Sequence, residues 1–251
     1  MCGRYSLTAT PEELAKLFEL SQIDGFPPRY NIAPTQPILM VTVGPANNLI
    51  APLVRWGLVP AWVKDPGEFS LLVNARSETA ALKPSFKNAM RHRRTLIPAS
   101  GFYEWFRPAN AKDNKGKQAY WIRPKNGGIV CFGGLVETWA GADGSEIDSG
   151  CILTTNANDA ISPIHHRMPV IIQPKDFDRW LDCKNSEPRD VVDLMQPAPN
   201  DYFEAIAVSD MVNKVANANP DIQKPVAEKE FVTKTKSSKN EEKPSDQFDL
   251  F

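Results

Sequence analysis

The chain has 251 residues, a net charge of −1 and a hydrophobic fraction of 42%. This length allows one large domain or two small ones, and the near-neutral charge does not by itself indicate a nucleic-acid partner. No run reaches the ~20 apolar residues that cross a bilayer, and no basic start leads into an apolar signal segment. The composition therefore excludes a membrane protein and predicts a cytoplasmic one.

From the N-terminus to about residue 223, short β-rich runs alternate with a few helical segments. A helix is predicted at TPEELAKLFEL, with Thr10 as its N-cap and Pro11 at the first helical position. Further helices are predicted near 77–90, over 175–181 and at PRDVVDLM. Strands are predicted at PILMVTV, APLVRWGLV, RTLIPA, QAYWIRP, GGIVCFGGLVET, GCILTTN, PVIIQP and YFEAIAVS. This pattern predicts one α+β domain over residues 1–223, with a curled, mostly antiparallel, barrel-like β-sheet flanked by short helices.

The composition changes at about Lys224. The following stretch is rich in Lys, Glu, Ser and Pro and poor in large apolar residues, which is typical of disordered chain. Residues 224–251 are therefore predicted to form a disordered tail. The tail nevertheless ends in QFDLF, whose three large apolar residues would be unfavourable in water unless they dock on a partner.

Cofactor and metal sites are not indicated by the sequence. The four cysteines (Cys2, Cys131, Cys151 and Cys183) are scattered, without a C-x-x-C pair or a nearby histidine at zinc-ligand spacing. No glycine-rich nucleotide-binding pattern accompanies the strands. We therefore expect neither a bound metal nor a nucleotide cofactor, and no disulfide in a reducing compartment.

Cys2 directly follows the initiator methionine, in the opening MCGRYS. If Met1 is removed, Cys2 carries an amine and a thiol on adjacent carbons. An α-amine has a pKa of ~7.7–8.0 and offers far more free base at neutral pH than a lysine, so it readily forms an imine with an aldehyde. The tethered thiol can then close a five-membered thiazolidine ring. Mature Cys2 is chemically suited to trap an aldehyde, although a chance cysteine at this position is the simpler interpretation of the feature alone.

Three other stretches contain polar groups in places that suit catalysis. LLVNARSET places Asn74, Arg76 and Glu78 at the end of a strand-like run. GFYEWF places Glu104 between two aromatic residues, whose apolar rings should raise the pKa of the carboxyl group. SPIHHRMPVII presents two histidines in a polar turn before a strand. Taken singly, a capping Asn, a surface Glu and a loop His are the simpler interpretations.

The motifs MCGRY, RYNIAPTQ, WGLVPAW, NARSET, GFYEW and IHHRMPVII occur in this order. Together they closely resemble the SOS response-associated peptidase (SRAP) family, the abasic-site processing proteins, from Met1 to about Val215. The resemblance implies an SRAP-like fold and covalent capture of abasic sites in single-stranded DNA, where the ring-opened sugar exposes an aldehyde. Self-processing peptidase activity, lyase activity through β-elimination of a stalled imine, and a monomer at replication forks are implied as well.

The resemblance also assigns roles to residues. It implies that Cys2 forms the thiazolidine after autocatalytic loss of Met1, that Asn74 holds the N-terminal residue and the sugar, and that Glu104 shuttles protons. His165 would help to open the sugar ring; we prefer it over His166 because it precedes Arg167 by the family spacing. The implied DNA-binding residues are Arg4, Arg76 and Arg167, which would grip phosphates, and Pro34, Trp62 and Thr154, which would line the groove.

The terminal QFDLF resembles the pentapeptide by which bacterial repair proteins dock on the sliding clamp. Gln247 would fill a small polar pocket, and Phe248, Leu250 and Phe251 would supply the apolar part. A flexible tether would raise the local concentration of the motif near DNA without new contacts. A sliding clamp is therefore a second expected partner, besides single-stranded DNA.

Two alternative functions remain open from the sequence. Cys2, His165 and Glu104 could serve an N-terminal-nucleophile cysteine protease that acts on other proteins. The chain could also be a non-catalytic DNA-binding module, whose binding would be reversible and salt-sensitive. Peptide turnover without DNA would favour the protease, and fully reversible DNA binding would favour the module.

Overall fold

The computed structural model describes residues 2–108 and 116–229. Two curled β-sheets share one apolar core, and short helices lie around them. The first sheet is antiparallel, with its strands in the spatial order 14-10-9-1-2. Its strands are β1 (Tyr5–Leu7), β2 (Arg29–Ile32), β9 (Gly101–Phe106), β10 (Gln118–Pro124) and β14 (Phe203–Val208).

The second sheet follows the spatial order 3-6-12-11-8, and two further strands pair with its central strand. Pairing is antiparallel except where this central strand meets strands 6 and 7 in parallel. The sheet contains β3 (Pro37–Leu39), β6 (Leu53–Trp56), β7 (Asn74–Arg76), β8 (Arg94–Ala99), β11 (Val130–Ala140), β12 (Glu146–Asn156) and β13 (Arg167–Pro169). A separate hairpin is formed by β4 (Thr42–Val43) and β5 (Leu49–Ile50). The predicted α+β class, with a curled and mostly antiparallel sheet, is confirmed.

The predicted N-terminal helix is confirmed as α1. Thr10 Oγ1 accepts a hydrogen bond from the main-chain N–H of Glu13 at 3.2 Å, and the Glu13 carboxylate accepts one from the N–H of Thr10 at 2.7 Å. This reciprocal pair satisfies two of the N–H groups left without partners at a helix start. The helices are α1 (Pro11–Leu17), α2 (Ser77–Ala80), α3 (Lys87–His92) and α4 (Phe177–Leu181), with 3₁₀ turns at Pro174–Asp176, Pro188–Met195, Asp210–Asn213 and Pro220–Gln223.

Several predicted elements differ from the structure. The strand expected at PILMVTV is divided into β3 and β4, and the helix expected at PRDVVDLM is a 3₁₀ helix. The helix expected over 77–90 is divided into α2 and α3, because Pro84 lies between them and cannot continue a helical hydrogen-bond ladder. The strand expected at PVIIQP is shorter and begins earlier, at Arg167. The hydrogen bonds of that run are shared between two strands: the N–H of Val170 bonds to Leu153 of β12, and that of Ile172 bonds to Cys131 of β11.

The two faces of the first sheet have different partners. Tyr5 and Phe102 point into the main core, where their rings meet Trp56 at 5.3 Å and Phe132 at 6.1 Å. The outer face packs against residues 209–223, here called the closing segment, through a second apolar cluster that includes Tyr103. The N-terminal strand is therefore enclosed between the second sheet and the closing segment.

Gly150 lies in β12 between its neighbouring strands β6 and β11. We expect Gly150→Ala to destabilise the fold. A Cβ at this position would stand 2.7 Å from the main-chain oxygen of Leu135, which cannot move without disturbing β11. Overpacking of this kind costs ~1–3 kcal/mol. Urea unfolding should show a lower midpoint for Gly150→Ala, whereas Gly25→Ala, whose Cβ would meet nothing within 4 Å, should leave the midpoint nearly unchanged. Equal midpoints in the two variants would contradict this.

The packed chain continues beyond the predicted boundary at Lys224. The N–H of Val226 bonds to the oxygen of Ala207 at 2.9 Å, and Lys229 Nζ bonds to Asp210 at 2.7 Å. The first six residues of the predicted tail therefore lie against β14 and the closing segment. The clamp-binding residues Gln247, Phe248, Leu250 and Phe251 lie outside the described residues, and their role stays a prediction.

Candidate active site

Cys2 lies three residues before the start of β1 and is fully buried. The Asn74 side chain donates a hydrogen bond from Nδ2 to the main-chain oxygen of Cys2 at 2.9 Å. Asn74 begins β7, which pairs in parallel with β12 of the second sheet. This bond therefore connects Cys2, which precedes the first sheet, to the second sheet. Among the described residues, the buried Oδ1 of Asn74 has no hydrogen-bond partner. It is therefore a ready acceptor for an N–H group beside Cys2.

The thiol of Cys2 is held in its protonated form. Burial raises its pKa far above the ordinary value, and the nearby charge of Glu104 raises it further. The Sγ atom faces the main-chain oxygen of Arg4 at 4.0 Å. Because a neutral thiol is a weak nucleophile, the reaction of Cys2 needs a base that removes its proton as the new bond forms.

Glu104 lies on β9 and points into the main core, with an exposed fraction of 3%. Burial raises its pKa to about 7. The predicted direction of the shift is confirmed, but its cause differs from the expected one. Tyr103 and Trp105 point to the opposite face of the strand and join the outer cluster, because successive side chains of a strand alternate. With a pKa near 7, both forms of Glu104 are populated at neutral pH, as an acid–base group requires.

His165 lies beside Glu104, with 3.9 Å between its Nδ1 atom and Glu104 Oε1. The same Nδ1 atom lies 3.0 Å from the main-chain nitrogen of Arg167 and 3.1 Å from its main-chain oxygen, so it accepts from that N–H or, when it carries the proton, donates to that oxygen. Burial lowers the pKa of His165 to about 4, so the ring is neutral at pH 7. The exposed ring of His166 stacks on His165 at 4.4 Å, and the structure thus places His165 rather than His166 against Glu104.

Arg167 and Thr154 do not lie at the surface, in contrast to the groove positions expected from the sequence. Both residues are buried, and the hydroxyl of Thr154 donates to the oxygen of Ala75 at 3.3 Å. The guanidinium of Arg167 is held by both carboxylate oxygens of Glu78, at 2.6 and 2.9 Å. In this arrangement, neither side chain can contact a phosphate without displacing its present partners.

Arg4 is only partly available for DNA. One nitrogen of its guanidinium donates to Asn31 Oδ1 at 2.7 Å and to the oxygen of Val212 at 2.9 Å, which anchors the closing segment. Asn31 belongs to the RYNIAPTQ motif, and its amide also donates to the oxygen of Asn217 at 2.7 Å. This role of Asn31 was not predicted from the sequence, in which its place in a shared motif is the one available signal.

The remaining predicted DNA contacts are more open. Arg76 is exposed at the end of β7, two residues after Asn74. Trp62 has an exposed fraction of 58% and meets Phe69 edge to face at 5.7 Å. Pro34 is half-buried in the turn after β2. An exposed cation and an exposed indole are therefore present for a nucleic-acid strand.

Other features of the described residues do not compete with this site. A cleft of about 670 Å³ near β4 and α4 is lined by His92 and Lys184 but contains none of the predicted site residues. Over residues 2–108 and 116–229, no group of three His, Cys, Asp or Glu side chains is placed to hold a metal ion. Within the same ranges, no helix has the length and apolar character needed to cross a membrane.

Comparison with known proteins identifies the family. Residues 1–215 match the family model described as SOS response associated peptidase (SRAP). The chain belongs to the SRAP family. The family's matched region includes every residue of the cluster described above, from Cys2 to Arg167.

Individual relatives cover nearly the whole SRAP chain. It is 37% identical over 225 residues to the abasic site processing protein YoqW of Bacillus subtilis, covering 88% of this chain and 98% of that protein. It is 29% identical over 276 residues to the abasic site processing protein HMCES of Pongo abelii, covering 90% of this chain and 76% of that protein. A crystal structure of a protein from Bacteroides thetaiotaomicron shares the fold, with a TM-score of 0.76, 23% identity and coverage of 90% of this chain and 100% of the other.

Proposed function

We propose that this SRAP protein processes abasic sites in single-stranded DNA by forming a covalent link through Cys2 after removal of Met1. The observation that carries the proposal is the arrangement of Cys2, Asn74, Glu104 and His165 in one cluster at the junction of the two sheets. The names of its relatives support abasic sites as the substrate.

The chemistry proceeds in two balanced steps. The amine of Cys2 attacks the aldehyde of the ring-opened sugar, and loss of one water gives an imine. The thiol then adds across the C=N bond: a C–S bond forms, and the thiol proton moves to nitrogen. The product is a thiazolidine, and no oxidant or external cofactor is consumed.

The residues of the cluster have distinct tasks in this scheme. Asn74 fixes Cys2 by donating to its carbonyl, and its buried Oδ1 is placed to accept from the amine. Protonated Glu104 supplies a proton to the departing water, and its carboxylate then takes the thiol proton. In its Nε2–H tautomer, neutral His165 donates to a sugar oxygen and thereby assists ring opening. If ring closure fails, the imine can instead lead to β-elimination and strand cleavage.

A denaturing gel tests the proposal directly. The mature protein is mixed with uracil-containing single-stranded DNA after excision of the uracil, and the sample is heated without a reducing agent. We expect a shifted band, and mass spectrometry of the linked species should give the mass of protein without Met1 plus DNA less one water. DNA with an intact base should give no shift. Retention of Met1 on the linked protein, or the absence of any linked species, would refute the proposal.

Arg76 is proposed to contact a phosphate beside the lesion. It is exposed at the end of the strand that starts with Asn74, and strand rise places it ~7 Å farther along, about one nucleotide away. We expect Arg76→Ala to weaken binding to single-stranded DNA and to reduce the slope of log K against log salt by ~0.7. Fluorescence anisotropy at several salt concentrations measures both. Arg189→Ala, which removes an exposed arginine from the 3₁₀ turn at Pro188–Met195, is the control and should keep the wild-type slope.

A further inference from the structure

The ring of His166 lies at the solvent edge of the cluster around Cys2. It stacks on the ring of His165, with the ring centroids 4.4 Å apart and the planes at 28° to each other. His165 thus covers one face of the His166 ring, and His166 itself is exposed. Among the described aromatic contacts, His166 takes part in this one alone. Its outer face is therefore open to a flat partner from solution.

The turn that carries the two histidines is held by several hydrogen bonds. The N–H of His165 bonds to the oxygen of Ile161 at 3.0 Å. The oxygen of His166 accepts from the N–H of Ala157 at 3.0 Å. At the start of the same turn, Asn158 Oδ1 accepts from the N–H of Ile161 at 3.0 Å. The His166 ring is thus carried on a fixed backbone before a ligand binds, which lowers the entropy that binding has to offset.

The stacked pair of histidines leads directly to the reacting groups. His165 Nδ1 lies 3.9 Å from Glu104 Oε1, and the His165 side chain keeps an exposed fraction of 20%. Besides burial, the nearby charge of Arg107 also lowers the pKa of His165, so this exposed arginine lies close to the same opening. A strand whose abasic sugar reaches His165 therefore passes beside His166, and the cation attracts its phosphates.

An abasic site leaves a gap in the row of bases along a DNA strand. Each base beside the gap has lost a stacking partner, so one of its aromatic faces is left to water. A base stacked on the outer face of His166 at ~3.5 Å would lie about 8 Å from the centre of the His165 ring, because the two histidine rings are 4.4 Å apart. This separation suits the nucleotide next to the lesion in an extended strand.

We propose that the outer face of His166 is a stacking site for the base of a nucleotide next to the abasic site. The ligand is a nucleobase of any kind, since every base has an aromatic face and stacking does not read sequence. The site favours a lesion over intact DNA, because a base beside the gap has one face without a neighbouring base. This inference rests on the proposed function for the position of the lesion at Cys2, but its test does not require the covalent step.

The affinity for an unreactive lesion tests the stacking site. One single-stranded DNA carries a single tetrahydrofuran, an abasic analogue that cannot open to an aldehyde. A second DNA carries the analogue at three consecutive positions and so lacks both neighbouring bases. Fluorescence anisotropy gives the dissociation constant for each DNA. We expect His166→Ala to bind the first DNA ~5–10-fold more weakly than the wild type, at the lower end of base–aromatic stacking, and the second DNA within ~2-fold of the wild type.

His166→Phe distinguishes stacking from a polar contact, because it keeps an aromatic face without the ring nitrogens. It should bind the first DNA at least as tightly as the wild type. The matched control is His92→Ala. His92 is exposed at the end of α3 and lines the cleft that contains none of the predicted site residues, so this variant should bind both DNAs like the wild type.

Three results would overturn the stacking site. The first is wild-type affinity of His166→Ala for the first DNA. The second is an equal loss of affinity for both DNAs in His166→Ala, which would place the contact on the sugar–phosphate backbone. The third is a loss in His166→Phe as large as that in His166→Ala, which would make the contact polar.

The proposed function can fail separately from this inference. A wild type that shows the expected affinities but forms no link to a true abasic site would refute the covalent chemistry and leave the stacking site in place. A wild type that forms the link, with the affinity of His166→Ala unchanged, would refute the stacking site alone.

Discussion

We expect Cys2→Ser to reduce the yield of heat-stable link to abasic DNA by ~100-fold or more. The variant should still form an imine. The amine remains after Met1 is removed, so the first condensation can proceed. A hydroxyl is a far weaker nucleophile than a thiol whose proton is taken by a base, so the ring does not close. The measurement is a denaturing gel run with and without borohydride. Without it, only the wild type should show a linked band; with it, both proteins should, since borohydride reduces an imine to a stable amine.

The control for this experiment is Cys183→Ser. Cys183 is a free thiol with intermediate exposure two residues after α4, and it lines the cleft that contains none of the predicted site residues. It should form the wild-type amount of link under both conditions. Equal heat-stable links from Cys2→Ser and the wild type without borohydride would show that the sulfur has no part in the product, and the thiazolidine would have to be abandoned.

That the candidate residues lie close together was easier to predict from the sequence than what surrounds each of them. Cys2, Asn74, Glu104 and His165 are far apart in the chain, yet each lies in a motif, and the structure brings them together. The strand alternation of GFYEWF was not used in the prediction. As a result, the pKa of Glu104 was expected to rise because of Tyr103 and Trp105, whereas the burial comes from the opposite face of β9.

Arginine roles could not be predicted from motif membership. Arg4, Arg76 and Arg167 are equivalent as charges in a sequence, but only Arg76 is exposed without a side-chain carboxylate or carbonyl partner among the described hydrogen bonds. The partners of the other two come from distant parts of the chain: Val212 for Arg4 and Glu78 for Arg167. Long-range pairing of this kind depends on the closure of both sheets, which periodicity and composition do not encode.

The hydrogen bonds around Arg167 also explain why a buried cation is tolerated there. An isolated guanidinium in the interior would cost several kcal/mol. Here the carboxylate of Glu78 and the oxygens of Thr154 and Asn156 satisfy most of its donors. The arrangement stabilises the start of β13, and with it the turn that carries His165.

Glu104→Gln is expected to slow link formation by ~10²–10⁴-fold and to change its pH dependence. With a pKa raised to about 7, Glu104 is protonated below pH 7 and ionised above it. If its proton assists the loss of water, its contribution falls as the pH rises through 7. The free amine of Cys2, with an ordinary pKa of ~7.7–8.0, becomes more abundant over the same range. The rate follows the protonated fraction of Glu104 multiplied by the free-base fraction of the Cys2 amine. The rate therefore has a bell-shaped pH profile with a maximum between about pH 7 and 8.

Glu104→Gln separates the rising acidic side of this pH profile from its falling alkaline side, because an amide cannot transfer the proton. Its rate should be low throughout but should rise with pH and level off, without the decline on the alkaline side. The groups that face Glu104 do not produce such a decline: the pKa of His165 is lowered to about 4, and that of the Cys2 thiol is raised far above this range. Rapid quenching of link formation between pH 5.5 and 9 measures the profile, and His166→Gln, which alters the exposed neighbouring ring, should keep the bell shape. A decline that persists in Glu104→Gln would assign the alkaline limb to another group and remove Glu104 from the loss of water.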